Sequence, residues 1–138
     1  MLSPEVKNRA NAHLRLGEGF INSATVCDSS AEYEIRNAFS RAYYALFHVC
    51  YAHLLGRQMD PVAVAAIADS HGELQSKMQG LLGKWFGRFL QQAREDRRNS
   101  DYKPEWAVPA ALVASSKLKR AKTQFYWLFH TTRNSVSE

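Results

Sequence analysis

The segment from Arg94 to Tyr102 contains three arginines and ends in a carboxylate followed by a phenol. Arg94, Arg97 and Arg98 supply the guanidinium groups, and Asp101 directly precedes Tyr102. A planar guanidinium binds two phosphate oxygens at once, which suits recognition of RNA or a nucleotide. The alternative is a salt-bridged helix terminus in which Arg97 or Arg98 pairs with Asp101. The segment therefore predicts either a phosphate-binding groove or a structural ion pair.

The position of Arg97 on its helix favours the groove. Phe86, Leu90 and Ala93 form an apolar stripe with steps of four and three residues. Continued at helical spacing, this stripe next reaches Arg97 and then Asp101. We therefore expect Arg97 to leave the core face of the helix and to point into a groove, not into bulk solvent.

Arg41 and His48 form a second combination of a cation and an imidazole. Six residues separate them, so a helix places both on one face, about 10 Å apart along its axis. We expect Arg41 to pair with an acid on another helix and His48 to be a hydrogen-bonded interior imidazole. Binding of nucleic acid or a nucleotide by both side chains is the alternative.

His71 opens a predicted helix directly after Asp69 and Ser70. A role in the turn or the helix cap is favoured, and a groove-lining role in nucleotide binding is the alternative. The other histidines lack zinc-ligand spacing, and the chain has no phosphate-binding glycine loop and no serine nucleophile elbow. No metal and no cofactor is expected.

The elements that position these residues are predicted to be helices, because apolar residues recur every three or four positions and strand-like alternation is lacking. We expect an all-α, antiparallel up-and-down bundle of four to five helices. A single domain is predicted over residues 1–130, followed by a frayed polar tail over residues 131–138. The predicted helices cover residues 4–27, 31–55, 60–68, 71–82, 85–99 and 105–130.

The second predicted helix is apolar on one face and polar on another, so it must be wedged between neighbours. Its apolar stripe consists of Ile35, Phe39, Ala42, Leu46 and Val49. Its other face carries Arg41, Tyr44, His48 and Tyr51.

The last predicted helix carries a basic face, formed by Lys117, Lys119, Arg120 and Lys122. The basic face is typical of a solvated surface, with nucleic-acid binding as the alternative. Residues 125–129 of the same helix are aromatic or apolar on all sides, from Phe125 to Phe129. A single small bundle seldom buries such a segment completely, so a homodimer is predicted.

Composition limits the class of protein. The chain has 138 residues, a net charge of +5 and a pI near 9.4, which permit an anionic partner. No apolar run reaches the length of about 18 residues that spans a bilayer, and no signal pattern opens the chain, so a cytoplasmic protein without membrane contact is expected. Cys27 and Cys50 lack metal-ligand spacing and are predicted to be reduced core thiols.

Three segments resemble the HEPN superfamily of small helical domains in microbial toxin–antitoxin and phage-defence systems. They are residues 36–48 (RNAFSRAYYALFH), residues 69–72 (DSHG) and residues 94–102 (REDRRNSDY), in the expected order. The resemblance implies an all-α domain that binds RNA or a nucleotide. It also implies a partner protein, either an antitoxin or a nucleotidyltransferase.

Some HEPN members cleave RNA without a metal, through an arginine followed after a few residues by a histidine. In this chain no histidine follows Arg94 or Arg97 at that spacing, and Asp101 and Tyr102 stand there instead. An aspartate beside arginines is a poor general acid. Endoribonuclease activity through Arg97, Asp101 and Tyr102 therefore stays open, and the alternative is a non-catalytic dimerisation module that docks a partner enzyme.

Overall fold

The computed structural model describes the backbone of residues 1–138 and every side chain except that of His71. Across this part of the chain the secondary structure consists of helices without strands, which confirms the all-α prediction. The helices form a bundle, and none of those described is long and apolar enough to cross a membrane. They are α1 (Pro4–Ser23), α2 (Glu32–Gly56), α3 (Pro61–Ala68), α4 (His71–Leu82), α5 (Lys84–Tyr102) and α6 (Ala111–Ser137).

The central element is α2, which packs against α1, α3, α5 and α6. The predicted apolar stripe from Ile35 to Val49 is buried throughout, as helical periodicity requires. On the other face, Arg41 and Tyr44 are exposed whereas His48 and Tyr51 are half-buried. The prediction of a helix wedged between neighbours is therefore confirmed.

The boundaries of α1 and α5 differ from the predicted ones. α1 ends at Ser23, four residues earlier than predicted, where the β-branched Thr25 and Val26 disfavour a further turn. α5 continues to Tyr102 instead of ending at Asn99, because the restriction imposed by Pro104 falls on Lys103 alone. Asp101 and Tyr102 therefore belong to the same helix as Arg97.

α6 begins and ends later than predicted. It starts at Ala111 and not near Glu105, because Pro109 keeps the residue before it out of helical geometry. It then continues to Ser137. The prediction of a frayed segment after residue 130 is wrong, since Thr132 and Val136 are buried.

The two cysteines occupy different environments. Cys50 is buried, as predicted, whereas Cys27 is exposed in the connection between α1 and α2, so its prediction as a core thiol is wrong. The Cys27 sulfur lies 3.2 Å from the hydroxyl oxygen of Ser29 and 3.6 Å from that of Ser30. These hydrogen bonds lower the pKa of the Cys27 thiol.

Candidate anion-binding site at the end of α5

Arg97 lies beneath a group of tyrosine rings. Its side chain is only 8% exposed, and its guanidinium carbon is 5.4 Å from the ring centroid of Tyr43. The corresponding distances are 5.8 Å to Tyr44 and 5.7 Å to Tyr102. A cation at such distances is attracted by the ring quadrupoles. The prediction that Arg97 leaves bulk solvent is confirmed, whereas its place in a groove stays a prediction.

One carboxylate faces Arg97. The Nη1 atom of Arg97 is 3.6 Å from Oδ2 of Asp101, and the same oxygen accepts a hydrogen bond of 3.3 Å from the hydroxyl of Ser40. Both distances are at the long end of the range for such contacts. The predicted structural ion pair is thus present, and its length makes it a weak contact for a buried guanidinium.

Arg94 adds a second guanidinium to this region. Burial raises the pKa of Tyr43 to about 12, although the positive charges of Arg94 and Arg97 act to lower it. The Nε atoms of Arg94 and Arg97 are buried and have no hydrogen-bond partner among the described residues. Buried donors are rarely left unpaired, because an unmade bond to a charged group costs about 2 kcal/mol or more. The region therefore has both a surplus of positive charge and unused donors.

We call this region the arginine–tyrosine site. The side chains that form it come from the last turns of α5 and the middle of α2: Arg94, Arg97, Asp101, Tyr102, Tyr43 and Tyr44. Helical spacing explains the first three, since they recur at steps of three and four along one face of α5, and Tyr102 directly follows Asp101.

Arg36 fixes the end of α5 that carries the site, a role that its sequence context does not indicate. Its guanidinium donates hydrogen bonds to the Glu32 carboxylate and to a series of backbone carbonyls. These carbonyls follow the last turn of α5 into the connection to α6, at Asn99, Ser100, Lys103, Pro104 and Trp106. Nothing in the local sequence distinguishes Arg36 from a solvated arginine, because the carbonyls that it binds lie more than sixty positions away and its pair with Glu32 is an ordinary i, i+4 contact.

Arg98 and Arg41 stay outside the arginine–tyrosine site in the described contacts. Arg98 is exposed on α5. Arg41 donates a hydrogen bond of 3.4 Å to the carbonyl oxygen of Ser23, at the C-terminus of α1. The predicted acid partner of Arg41 is wrong, since a helix C-terminus with unpaired carbonyls takes its place.

His48 is held by α1. Its Nδ1 lies 2.9 Å from Nδ1 of His13, and its ring stacks on Phe20 with a centroid distance of 5.7 Å. One of the two nitrogens must donate and the other accept, so a single proton lies between these two nitrogens. Burial lowers the pKa of His48, and burial together with the charge of His48 lowers the pKa of His13 to about 4. The prediction of a hydrogen-bonded interior imidazole is confirmed.

The predicted role of His71 cannot be compared with its side chain, which lies outside the described residues. Its backbone begins α4, and the preceding Ser70 caps the helix by accepting a hydrogen bond of 3.4 Å from the amide of Glu73. Ser70 thus provides the cap that its sequence position predicts. The two alternatives for His71 stay predictions.

The aromatic end of α6 is mostly covered within the chain. Phe125, Leu128 and Phe129 are buried, and the Tyr126 hydroxyl lies within hydrogen-bond distance of Glu18, at 3.2 Å, on α1. Trp127 alone in this segment is 46% exposed. The homodimer stays a prediction, and within this segment only the exposed ring of Trp127 still supports it.

One of the four basic residues on this face of α6 forms an ion pair, and the other three are exposed. Lys117 donates a hydrogen bond of 3.2 Å to the buried carboxylate of Asp96 on α5. Lys119, Arg120 and Lys122 are exposed. No group of three or more metal-ligating side chains occurs among the described residues.

Comparison with known proteins gives two similar sequences, whereas no family model matches the chain. A protein of Methanocaldococcus jannaschii named "Putative toxin MJ0605" is 26% identical over 102 residues, which are 74% of this chain and 74% of that protein. A protein of Pyrococcus horikoshii named "UPF0332 protein PH1297" is 27% identical over 94 residues, 68% of this chain and 64% of that protein. The first name states a toxin, and the second states no activity.

Proposed function

We propose that this chain is a toxin-like protein of the HEPN type that binds an RNA or nucleotide phosphate at the arginine–tyrosine site. The similarity to the Methanocaldococcus jannaschii protein supports the toxin-like character. The HEPN assignment is supported by the three sequence segments that resemble the superfamily. The ligand class is supported by the chemistry of Arg94, Arg97 and the tyrosines around them.

The unpartnered Nε atoms of Arg94 and Arg97 are the observation on which the proposal depends. A phosphate at this place would add acceptor oxygens where Arg97 now has a single, long contact with the Asp101 carboxylate. Charge-assisted hydrogen bonds between arginine and phosphate are among the stronger polar contacts in proteins. A phosphate that reached these buried guanidinium groups would thus satisfy donors that the described contacts leave unused.

The tyrosines around Arg97 favour a ligand that carries a base. Tyr102 is 70% exposed, so one face of its ring is open to stacking although the guanidinium of Arg97 lies near the ring. Aromatic rings of this kind bind unpaired bases without strong sequence preference. Single-stranded RNA or a nucleotide therefore fits the site better than inorganic phosphate or a regular duplex.

Binding without cleavage is the activity that the residues support best. Asp101 is engaged by Arg97 and Ser40, and His48 is engaged by His13. The described contacts bring no imidazole to Arg97. General acid–base catalysis by Arg97, Asp101 and Tyr102 would need a group that donates a proton near neutral pH, so we propose RNA or nucleotide binding as the primary role.

The test uses labelled single-stranded RNA incubated with the protein in the presence of EDTA. Arg97→Ala should weaken RNA binding by about ten- to a hundredfold, because one charge-assisted contact is worth about 1.5–3 kcal/mol. Arg97→Lys should also bind more weakly, since an ammonium cannot reproduce the planar fork. Arg98→Ala serves as the matched control, because Arg98 is an exposed arginine on the same helix.

Melting temperatures of the same variants separate binding from folding. A lower melting temperature of Arg97→Ala with unchanged RNA affinity would reduce Arg97 to a structural partner of Asp101. Cleavage of the RNA in EDTA by the parent chain, lost in Arg97→Ala, would establish a metal-independent endoribonuclease and overturn binding as the primary role.

A further inference from the structure

An apolar groove separates α5 from α6. Both helices pack on α2 without packing extensively on one another, and the space between them has a volume of about 400 Å³. The apolar side chains that line it come from all three helices: Phe39, Ala42, Phe89, Ala93, Leu118 and Ala121. The groove lies outside the arginine–tyrosine site, with which it shares no lining residue.

Two contacts between α5 and α6 bound this groove. The rings of Trp85 and Trp127 have centroids 5.9 Å apart at one end, and Lys117 pairs with Asp96 at the other, with 3.2 Å between nitrogen and oxygen. Between Trp85 and Asp96, α5 rises about 16 Å, or three helical turns. The groove therefore extends along about three turns of α5, a length over which another helix could lie.

The rim of the groove is positively charged. Arg88 and Arg120 are exposed on either side of it, and neither forms an ion pair with a described residue. The carboxylate of Asp96 is already matched by Lys117 and accepts a further hydrogen bond from Gln92. The rim consequently presents two unpaired guanidinium groups to whatever fills the groove.

We propose that this groove binds an acidic amphipathic helix of a partner protein. Three turns of helix would place apolar residues at i, i+4 and i+7 in the groove, and flanking carboxylates would meet Arg88 and Arg120. A second copy of this chain fits less well, because it carries a net charge of +5. RNA also fits less well, because it has no aliphatic side chains to fill an apolar floor.

The exposed tryptophans strengthen the case for a protein partner. Trp85 is 49% exposed and Trp127 46% exposed at the end of the groove. Tryptophan and arginine are the side chains that most often dominate the energy of protein interfaces. Here both kinds border one apolar groove, with the tryptophans at one end and the arginines along its sides.

The experiment uses a fluorescent, covalently stapled helical peptide of about four turns, because short free helices are marginal in water. Leucines occupy i, i+4 and i+7, and glutamates occupy the flanking positions. Two comparison peptides have the same composition in scrambled order, or lysine in place of glutamate. Fluorescence anisotropy should show binding of the acidic amphipathic peptide in the micromolar range and at least about tenfold weaker binding of both comparison peptides.

Charge reversal in the chain provides the second arm. Arg88→Glu and Arg120→Glu should each weaken peptide binding by about tenfold, with circular dichroism and melting temperature unchanged. Lys122→Glu is the matched control, because Lys122 is an exposed base on α6 that does not line the groove. Arg97→Ala should leave peptide binding unchanged, so failure of the RNA proposal and failure of this one are separable.

Several outcomes would overturn the proposal. Equal binding of the scrambled or lysine peptide would do so, as would equal effects of Arg120→Glu and Lys122→Glu. Loss of RNA affinity without loss of peptide affinity in Arg88→Glu would assign the rim to RNA. A dimer in light scattering that Arg120→Glu dissociates would assign the groove to a second copy of the chain.

Discussion

Arg36 on α2 donates a hydrogen bond of 3.0 Å to the carbonyl oxygen of Asn99, in the last turn of α5. Four further carbonyls, up to that of Trp106, accept from the same guanidinium. The last carbonyls of a helix lack intrahelical partners and carry the negative end of its dipole, so a cation stabilises them. Arg36 thereby fixes the position of the turn that carries Arg97 and Tyr102.

Arg36→Ala should lower the free energy of unfolding by at least about 2 kcal/mol, because several charge-assisted hydrogen bonds are lost together. Arg36→Lys should cause a smaller loss, since one ammonium reaches fewer carbonyls. The measurement is urea unfolding followed by circular dichroism. Glu32→Gln is the control and should cost about 0.5 kcal/mol or less, because its side chain is 63% exposed. Equal losses in Arg36→Ala and Glu32→Gln would contradict the role of Arg36.

The contact between α4 and α5 depends on Gly87. A Cβ at this position would lie 2.7 Å from the Cβ of Gln79, closer than packed atoms allow. Gly87→Ala should therefore destabilise the chain by about 1–3 kcal/mol, as overpacking generally does. Gly19→Ala is the matched control in α1 and should stabilise by about 0.5–1 kcal/mol, because nothing lies within 4 Å of its added Cβ. Thermal unfolding of both variants measures the difference, and stabilisation by both would refute the close approach.

Helical periodicity made some of these features predictable from the sequence. The buried stripe of α2 and the withdrawal of Arg97 from solvent both depend on which residues share one helix face, which is a local property. The same reasoning placed Asp101 beside Arg97, since steps of four return to one face. Short-range patterns therefore predicted the helices and the α5 half of the arginine–tyrosine site.

The remaining features depend on partners distant in the sequence. The carbonyls that Arg36 binds lie 63 to 70 positions away, so no local pattern indicates them. The late end of α6 has the same cause, because Thr132 is held by His53, 79 positions earlier. The covering of residues 125–129 likewise requires α1 and α2 to be in place. In each case a contact between distant parts of the chain determined the structure, and the local sequence pattern predicted something else.

The burial of His53 should make stability depend on pH. Burial, assisted by the charge of Arg57, lowers the pKa of His53 to about 4, below the value of about 6.5 in an unfolded chain. The unfolded state therefore binds more protons between these values, so stability is full above pH 6.5 and is lost as pH falls towards 4.

His53→Asn removes this titration while it keeps a nitrogen or oxygen near Nδ1, the atom that lies 3.1 Å from the Thr132 hydroxyl. The loss of unfolding free energy between pH 7 and pH 4 should be smaller in the variant by about 2 kcal/mol. Urea unfolding at a series of pH values measures it. His13, whose pKa is also lowered, is unchanged in the variant, so the comparison isolates His53. Parallel pH profiles would show that His53 does not contribute.

Tyr102 offers the clearest separation of ligand binding from folding, because its side chain is exposed and borders the arginine–tyrosine site. If its ring stacks on a base, Tyr102→Ala should weaken binding of single-stranded RNA by about 1–3 kcal/mol, whereas Tyr102→Phe should bind nearly as well as the parent chain. Both variants should melt close to the parent temperature, since 70% of the residue surface is already in solvent. Tyr33→Ala is the matched control, as Tyr33 is 67% exposed on α2. Equal RNA affinities of Tyr102→Ala and Tyr33→Ala in an anisotropy titration would remove base stacking from the proposed function.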